Sequence, residues 1–515
     1  MGSQISPTTN AVGTTYAIAD GDYNNTNYQN NGVLINTGHF QNTGALGILM
    51  NDGASAIINN LSKGIFENVN GATLNNDSII NNSGILSNTN FSTLTNKSIL
   101  NNSGVLNNNT NGASIVNNGE INSEGEVNND TKVINNGQIK NNLGANFNSC
   151  SLDNNSYFAN SGTFSQAPGF TLKNLGTIDN FGLLINNGLL SNQEGAKFNN
   201  TGTVDINAVS QWSSDSGANL GIFNNNEYGK INIASKGIYY NHGTINNNAA
   251  STLSIAGELW NFTDGKTSNS GQLIILEDGN FWNIGSSVIN NGSIQSSGKF
   301  VSTGKGTLTN NGKLVNNGFY DISQNASLIN NGNLINDTNG VINNDGLIDT
   351  TNGTFHNKMG AVLQGTGSTK GNIDNNGTIT GGNSSGGYLV DGDLLHNEDG
   401  NKFFELAGSD DADRDRINTE YDFVDITGDL ILNGGNLEVT LIDGFQLDLD
   451  QEFIIAKVDG QLTGTFDGLE EGAIVGSFDS VYGDMDLYLF VTYEAGDGND
   501  IALYTADHLF QLSYT

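Results

Sequence analysis

The stretch that decides the fold is residues 79–86, IINNSGIL, which returns 20 residues later as 99–106, ILNNSGVL. The core of the phrase reappears with the same period in the second half of the chain, at 289–292 (INNG), 309–312 (TNNG) and 329–332 (INNG). A fixed period of this length is the sequence signature of a solenoid, in which each repeat forms one coil. The chain is therefore predicted to be a β-solenoid with coils of about 20 residues.

Short apolar pairs alternate with polar residues between the Asn-Gly corners, as in short strands, and no stretch shows a helical period. Asn and Gly tolerate positive φ and therefore mark corners. Asn-Gly between strands also fits β-hairpins in a meander. The period favours coiling because three strands and three corners fit one turn of about this length, and because Asn recurs at one phase and can stack on Asn. About 18 such coils would form a rod about 90 Å long.

Composition agrees with a repetitive, non-membrane chain. The 515 residues include 68 Gly, 2 Pro and 36% hydrophobic residues, which is below the usual ~45–50%. A ratio of 18 Lys+Arg to 53 Asp+Glu argues against nucleic-acid binding, which needs clustered cations. No apolar run is long enough to span a membrane, so membrane insertion is not expected. The single cysteine, Cys150, is expected to be a buried thiol.

The chain divides into three predicted regions. Residues 1–31 lack a clean repeat and are predicted to cap the first coil, whose edge would otherwise be open. Residues 32–387 are the Asn/Gly-rich solenoid, with irregular or widened coils expected between about 147 and 285. Residues 388–515 are acidic and β-rich, and form either a continuation of the solenoid or a separate cap. The start, Met1-Gly2-Ser3, fits a cloning remnant before a mature secreted chain or a native start.

The repeats resemble those of bacterial surface adhesins of the filamentous-haemagglutinin and autotransporter-passenger kind. The C-terminal quarter resembles the end of such passengers in five segments: 421–428 (YDFVDITG), 435–439 (GNLEV), 453–455 (FII), 462–466 (LTGTF) and 496–503 (GDGNDIAL). The resemblance implies a right-handed parallel β-helix at the bacterial cell surface or in the extracellular matrix. No catalytic motif of the family maps onto this sequence.

Two groups of residues are candidate binding sites. The aromatic residues around one coil either form a glycan-stacking strip or fill a widened core: Trp260, Phe262, Phe281 and Trp282, with Trp212 and Tyr239-Tyr240 as weaker candidates. The carboxylates at the acidic end either begin a calcium loop or belong to a solvated acidic loop: Asp411, Asp413, Asp415 and Asp422. The second group departs from a calcium loop because Arg416 stands where glycine is usual. Calcium is the only cofactor that the sequence suggests.

Three functions follow as hypotheses. The first is a non-enzymatic extracellular structural or adhesive protein that binds glycans or self-associates into filaments. The second is a virion fibre or spike. The third is a β-helix polysaccharide-processing enzyme, for which Glu277-Asp278 is the place to look, since glycoside hydrolysis needs paired acids. An ice-binding surface would need a regular Thr-x-Thr strip, which the repeats lack.

Overall fold

The computed structural model describes residues 2–6, 8–207, 218–483 and 487–506. It is a parallel β-solenoid of about 19 turns, which confirms the predicted fold class, and its described part contains a single short helix, the 3-10 turn Ala412–Arg414. None of the described helical structure has the length and hydropathy needed to cross a bilayer. The chain forms two compact units, residues 1–260 with 264–266, and residues 261–263 with 267–515.

The first unit is built from coils of three strands, here called faces one, two and three in chain order from Thr15. Face one contains Thr15–Ile18, Val33–Asn36, Ile57–Asn60, Ile79–Asn82, Ile99–Asn102, Glu120–Ser123, Gln138–Asn141, Tyr157–Asn160, Thr177–Asn180, Lys197–Asn200, Ile222–Asn225 and Thr244–Asn247. Face two contains Tyr23–Asn24, His39–Thr43, Ile65–Val69, Ile85–Thr89, Val105–Asn109, Thr163–Gln166, Leu183–Asn186, Thr203–Ile206, Lys230–Ile233 and Thr252–Ile255. Face three contains Thr9–Asn10, Asn27–Asn30, Ile48–Asn51, Thr73–Asn76, Thr93–Asn96, Ser114–Asn117, Thr171–Asn174, Leu189–Asn192, Ala218–Asn219, Ile238–Asn241 and Glu258–Asn261. Two longer strands, Glu126–Asn135 and Asn146–Asn154, each cover faces two and three.

The second unit repeats this pattern. Its face-one strands are Lys266–Asn269, Ser287–Asn290, Thr307–Asn310, Ser327–Asn330, Leu347–Asp349, Ser368–Lys370, Gly387–Asp391 and Phe423–Ile426. Its face-two strands are Gln272–Ile275, Ser293–Ser296, Lys313–Asn316, Asn333–Asn336, Thr354–Asn357, Ile373–Asn375, Leu394–His396, Leu430–Asn433 and Leu462–Thr465. Its face-three strands are Asn280–Ile284, Lys299–Thr303, Phe319–Ile322, Val341–Asn344, Val362–Gln364, Thr378–Ile379, Asn401–Leu406 and Asn436–Leu441. An antiparallel sheet follows, made of Glu452–Ala456, Ile474–Phe478, Leu487–Ala495 and Asp500–Ala506.

Each strand pairs in parallel with the strand one coil further on, as Ile79 does with Ile99. The spacing is wider within the stretch predicted to be irregular, where Lys197 pairs with Ile222. The segment predicted as an N-terminal cap contains strands that pair in the same way, such as Thr15–Ile18 with Val33–Asn36. In the acidic region, parallel pairing continues to Leu462–Thr465, beside the antiparallel sheet.

A four-residue strand turns its second and fourth residues inward, which explains the repeated phrase. In Ile79–Asn82 the second residue, Ile80, and the fourth, Asn82, are each 1% exposed. The apolar residue fills the core, and the asparagine stacks on the asparagine of the next coil. The Asn82 amide nitrogen donates to Asn102 Oδ1 at 2.7 Å and to the Val105 carbonyl at 2.9 Å. The buried Asn82 amide is therefore satisfied along the stack, as predicted for such ladders.

Candidate ligand-binding surface

The outward asparagine of the repeated phrase forms a second ladder on face one of the first unit. The Asn81 amide nitrogen donates to Asn59 Oδ1 at 2.9 Å, Asn101 donates to Asn81 at 2.9 Å, and Asn122 donates to Asn101 at 3.1 Å. Successive members stand one strand spacing apart, about 4.8 Å. The outer ladder is thus a straight array of half-buried side-chain amides.

The two ladders run in opposite directions. In the inner ladder each amide donates to the following coil, as Asn60 does to Asn82 at 2.7 Å. In the outer ladder each amide donates to the preceding coil, as Asn101 does to Asn81. The Asn-Asn dipeptide therefore places two amides of opposite donor direction on the two sides of one sheet.

Hydroxyl groups and one carboxylate border the outer ladder. Ser83 and Ser103 occupy equivalent exposed positions, and their hydroxyl oxygens are 3.1 Å apart. These side chains line a groove with a charged end: Asn81, Asn82, Ser83, Asn101, Asn102, Ser103, Asn122 and Glu124. The groove is therefore almost uncharged and rich in groups that both donate and accept hydrogen bonds.

The groups that this groove offers to a ligand are the amide donors and acceptors that the ladder does not use. A side-chain amide has two N–H donors and an oxygen with two lone pairs. The bond from Asn101 to Asn81 and the bond from Asn122 to Asn101 use one donor and one lone pair of Asn101. One donor and one acceptor of that amide therefore stay directed away from the ladder, and this combination is complementary to the neighbouring hydroxyls of a sugar ring.

The predicted aromatic residues lie in both units and have different surroundings in each. In the first unit Trp260 is half-buried, its indole nitrogen donates to Glu258 Oε2 at 2.7 Å, and its ring is 6.4 Å from that of Tyr240. Tyr239 is 2% exposed and belongs to the core. Trp212 lies outside the described residues. Trp260 and Tyr240 thus keep partly accessible rings on the outer side of face three.

In the second unit Phe281 is 0% exposed and its ring stacks on Phe300, with centroids 4.9 Å apart. Phe281 therefore fills the core, which was one of the two predicted alternatives, and a ligand cannot reach its ring. Trp282 and Phe262 are half-buried. The Lys299 ammonium lies 5.1 Å from the Trp282 ring centroid, a cation–π contact that covers part of the ring. Glu277 and Asp278 are both exposed.

Of the four carboxylates of the predicted calcium loop, three accept backbone hydrogen bonds at separate places, namely Asp411, Asp415 and Asp422. Asp411 accepts a hydrogen bond from the Asp413 backbone nitrogen at 3.1 Å, and Asp415 accepts one from the Ile417 nitrogen at 3.0 Å. Asp422 is 0% exposed and lies on the solenoid. Within the described residues, no three His, Cys, Asp or Glu side chains form a group that could hold a metal ion. The structure places Asp411, Asp413 and Asp415 in an acidic loop and Asp422 at a separate buried position, and calcium binding stays a prediction.

The buried Asp422 carboxylate connects three segments of the second unit. Its Oδ1 accepts from the Gly386 nitrogen at 2.9 Å, and its Oδ2 accepts from the Thr380 hydroxyl at 3.0 Å and the Glu405 nitrogen at 2.9 Å. Burial raises the pKa of Asp422 to about 8, although these three donors act in the opposite direction. Asp422 is therefore a structural acid that holds its proton well above the usual range.

This raised pKa predicts a pH-dependent stability. The folded state binds the Asp422 proton more tightly than the unfolded state, so its contribution is complete below about pH 4 and is lost as pH rises toward about 8. Asp422 is expected to lower the free energy of unfolding of the second unit by up to about 1.4 kcal/mol per pH unit in this window, and this contribution is the difference between the wild type and Asp422→Asn, because buried His396, whose pKa is lowered to about 3, contributes the opposite slope. Urea unfolding between pH 4 and 8 measures the slope. Asp422→Asn is expected to make the slope more positive than that of the wild type, and Glu420→Gln is expected to leave it unchanged, whereas equal slopes in both variants would contradict this assignment.

One cleft of the second unit lies beside the acidic loop. Arg416 in this loop hydrogen-bonds through Nη1 to the Gly367 carbonyl, and Ile417 next to it is 62% exposed. The opposite wall carries hydroxyl and amide side chains, namely Ser323, Gln324, Asn325, Ser327 and Thr366. Sequence reasoning missed this cleft because the loop and the corners that form it are separated by about 50 to 90 residues.

Comparison with known proteins adds no further assignment. No protein-family model matches the chain, and no curated protein matches it. The class that the fold defines is that of parallel β-solenoid repeat proteins.

Proposed function

We propose that this chain is a non-enzymatic structural or adhesive protein of the extracellular space that binds glycans through its outer amide ladders. The outer ladder from Asn59 to Asn122 carries the proposal, because it presents uncharged donor–acceptor pairs at regular intervals. A polysaccharide strand also repeats its hydroxyl groups at regular intervals, so several weak contacts can form together. The resemblance of the repeats to bacterial surface adhesins supports a location at the cell surface.

The remaining side chains support a binding role over a catalytic one. Glycoside hydrolysis needs two carboxyl groups facing one bond, one of them with a raised pKa. The carboxyl with the largest raised value, Asp422, is fully buried and bonded to the backbone, so it cannot reach a polysaccharide. The groove beside the outer ladder has one carboxylate, Glu124. Binding without bond cleavage is the function proposed for this surface.

A glycan array probed with the intact protein tests the proposal. We expect binding to neutral polysaccharides, with affinity reduced at least tenfold in the double variant Asn81→Ala/Asn101→Ala. The matched control is Asn25→Ala/Asn146→Ala, which changes two exposed asparagines outside this ladder and is expected to bind normally. Absence of binding to every glycan would overturn the proposal. Equal binding by both double variants would remove the outer ladder as the site.

A further inference from the structure

The cleft beside the acidic loop arises because corners of the second unit differ in length. The corner at 323–326 has four residues between its strands, whereas the corresponding corner of the next coil has two, Asp345 and Gly346. The strands on both sides of these corners are paired in register, so the longer corner stands out beyond the shorter one. It forms one wall of the cleft, and the exposed residues Gln324 and Asn325 lie on that wall.

The acidic loop, residues 407–422, forms the opposite wall. The Gly387 nitrogen donates to the Arg416 carbonyl at 2.9 Å, and Arg416 Nη1 donates to the Gly367 carbonyl, so the loop is fixed to the backbone of two earlier coils. The corner that contains Gly367 lies two coils beyond 323–326, a distance of about 10 Å. The cleft between the walls has a volume of about 800 Å³. Sites for small ligands have volumes of roughly 300–1,000 Å³.

The polar groups that line this cleft include both donors and acceptors. Asp345 Oδ1 accepts from the Thr366 nitrogen at 2.9 Å and from the Thr366 hydroxyl at 3.1 Å. Within the described residues no other bond reaches this carboxylate, so Oδ2 keeps its lone pairs. The bond to Gly367 uses one of the five N–H donors of Arg416. One bound molecule can therefore meet a carboxylate acceptor and guanidinium donors in the same cavity.

The charges of the cleft favour a neutral ligand. Asp345, Asp415 and Arg416 line it, so it carries two negative charges and one positive charge. An anion would meet the excess of carboxylate, and a cation would meet the guanidinium. A neutral molecule with many hydroxyl groups suits both, because each hydroxyl can donate to a carboxylate and accept from a guanidinium or an amide. Ile417, which is 62% exposed, adds an apolar surface for the C–H face of a sugar ring.

We propose that this cleft binds the end of a neutral glycan, with its terminal sugar rings between the 323–326 corner and the 415–417 segment of the loop. This inference rests on the proposed glycan-binding function and adds a second site of different specificity. Walls on both sides along the coil axis of the second unit limit the length of the ligand. The cleft therefore suits a chain end or a short branch, whereas the outer ladder of the first unit suits a repeating chain.

Isothermal titration calorimetry of the full chain tests the site, with neutral trisaccharides of glucose, galactose, mannose and N-acetylglucosamine as probes. We expect at least one probe to bind, and Gln324→Ala/Asn325→Ala to weaken its binding by about tenfold or more. The matched control, Thr351→Ala/Asn352→Ala, changes two exposed polar residues at another corner of the second unit and is expected to bind like the wild type. Failure of every probe to bind, or unchanged binding by Gln324→Ala/Asn325→Ala, would overturn the proposal.

A charged probe tests the class of ligand. We expect a trisaccharide of uronic acids to bind the wild type about tenfold more weakly than the neutral probe. Asp345→Asn keeps an oxygen for Thr366 but removes the charge, so it is expected to weaken the neutral probe and to strengthen the acidic one. A loss of folding would not produce these opposite changes. Tighter binding of the acidic probe by the wild type would contradict a neutral ligand.

The outcomes also separate this site from the outer ladder. Trisaccharide binding that is lost in Gln324→Ala/Asn325→Ala and retained in Asn81→Ala/Asn101→Ala would support the cleft even if the ladder binds no polysaccharide. Polysaccharide binding that depends on the ladder, without trisaccharide binding by the wild type, would overturn the cleft and leave the proposed function standing.

Discussion

Asn82→Asp is expected to destabilise the surrounding coils by roughly 3–5 kcal/mol at pH 7. The change is nearly isosteric, but it replaces the amide nitrogen that donates to Asn102 Oδ1 and to the Val105 carbonyl with a carboxylate oxygen. Three acceptors would then face one another in the core. Burial raises the pKa of the new carboxyl, so the penalty grows as pH rises above about 4.

The neighbouring residue supplies the control for this prediction. Asn81→Asp makes the same chemical change on the outer side of the same strand, where the side chain is half-buried and bonded to Asn59 and Asn101. Its cost is expected to stay below about 1 kcal/mol. Native-state hydrogen exchange of the backbone amides in 79–106 measures both local stabilities, since solenoid coils open locally. Equal losses in the two variants would contradict the separate roles of the two ladders.

Gly104→Ala is the second change with a large expected effect, about 3 kcal/mol or more. A Cβ atom at this corner would lie 2.1 Å from the Gly84 carbonyl oxygen and 2.7 Å from the Ser83 carbonyl carbon. Both atoms are backbone of the preceding coil, so relief requires the two coils to separate. The neighbouring Ile85-to-Val105 strand pairing would be strained by that shift.

The control is the adjacent corner residue. Ser103 is exposed, and Ser103→Ala removes a hydroxyl contact to Ser83 and a long hydrogen bond, 3.4 Å, to the Asn82 carbonyl, so its cost is expected to be within about 0.5 kcal/mol. Hydrogen exchange over the same segment, 79–106, compares the two variants. If Gly104→Ala retained its local stability, the coils would tolerate a wider spacing at this corner, and the close approach of the two backbones would not be required.

The fold was predictable because the position of a residue in the repeat determines two things: whether its side chain faces the core, and which residue it meets on the adjacent coil. Apolar and Asn positions alternate within each strand, and their 20-residue period aligns equivalent residues such as Asn82 and Asn102 on adjacent coils. The stacking of buried asparagines follows directly from that alignment and is confirmed. The opposite donor directions of the two ladders were not predictable, since rotamers depend on which backbone carbonyl each amide can reach.

The candidate sites were less predictable because exposure depends on the phase of each residue within its strand. Phe281 and Trp282 are adjacent, yet one faces the core and the other faces outward. If the first residue of strand Asn280–Ile284 had been known, the alternation of inward and outward side chains would have placed Phe281 and Trp282 on opposite sides of the sheet.

Side-chain amide exchange is the most direct test of the central claim, that buried amides join the coils while equivalent amides face outward. NMR of the 15N-asparagine-labelled protein in D2O can follow the Nδ2 hydrogens of Asn82 and Asn81 separately. We predict that the Asn82 hydrogens, on a side chain 1% exposed, persist at least a hundredfold longer than those of Asn81. Exchange of both amides at the same rate would contradict the division into an inner and an outer ladder.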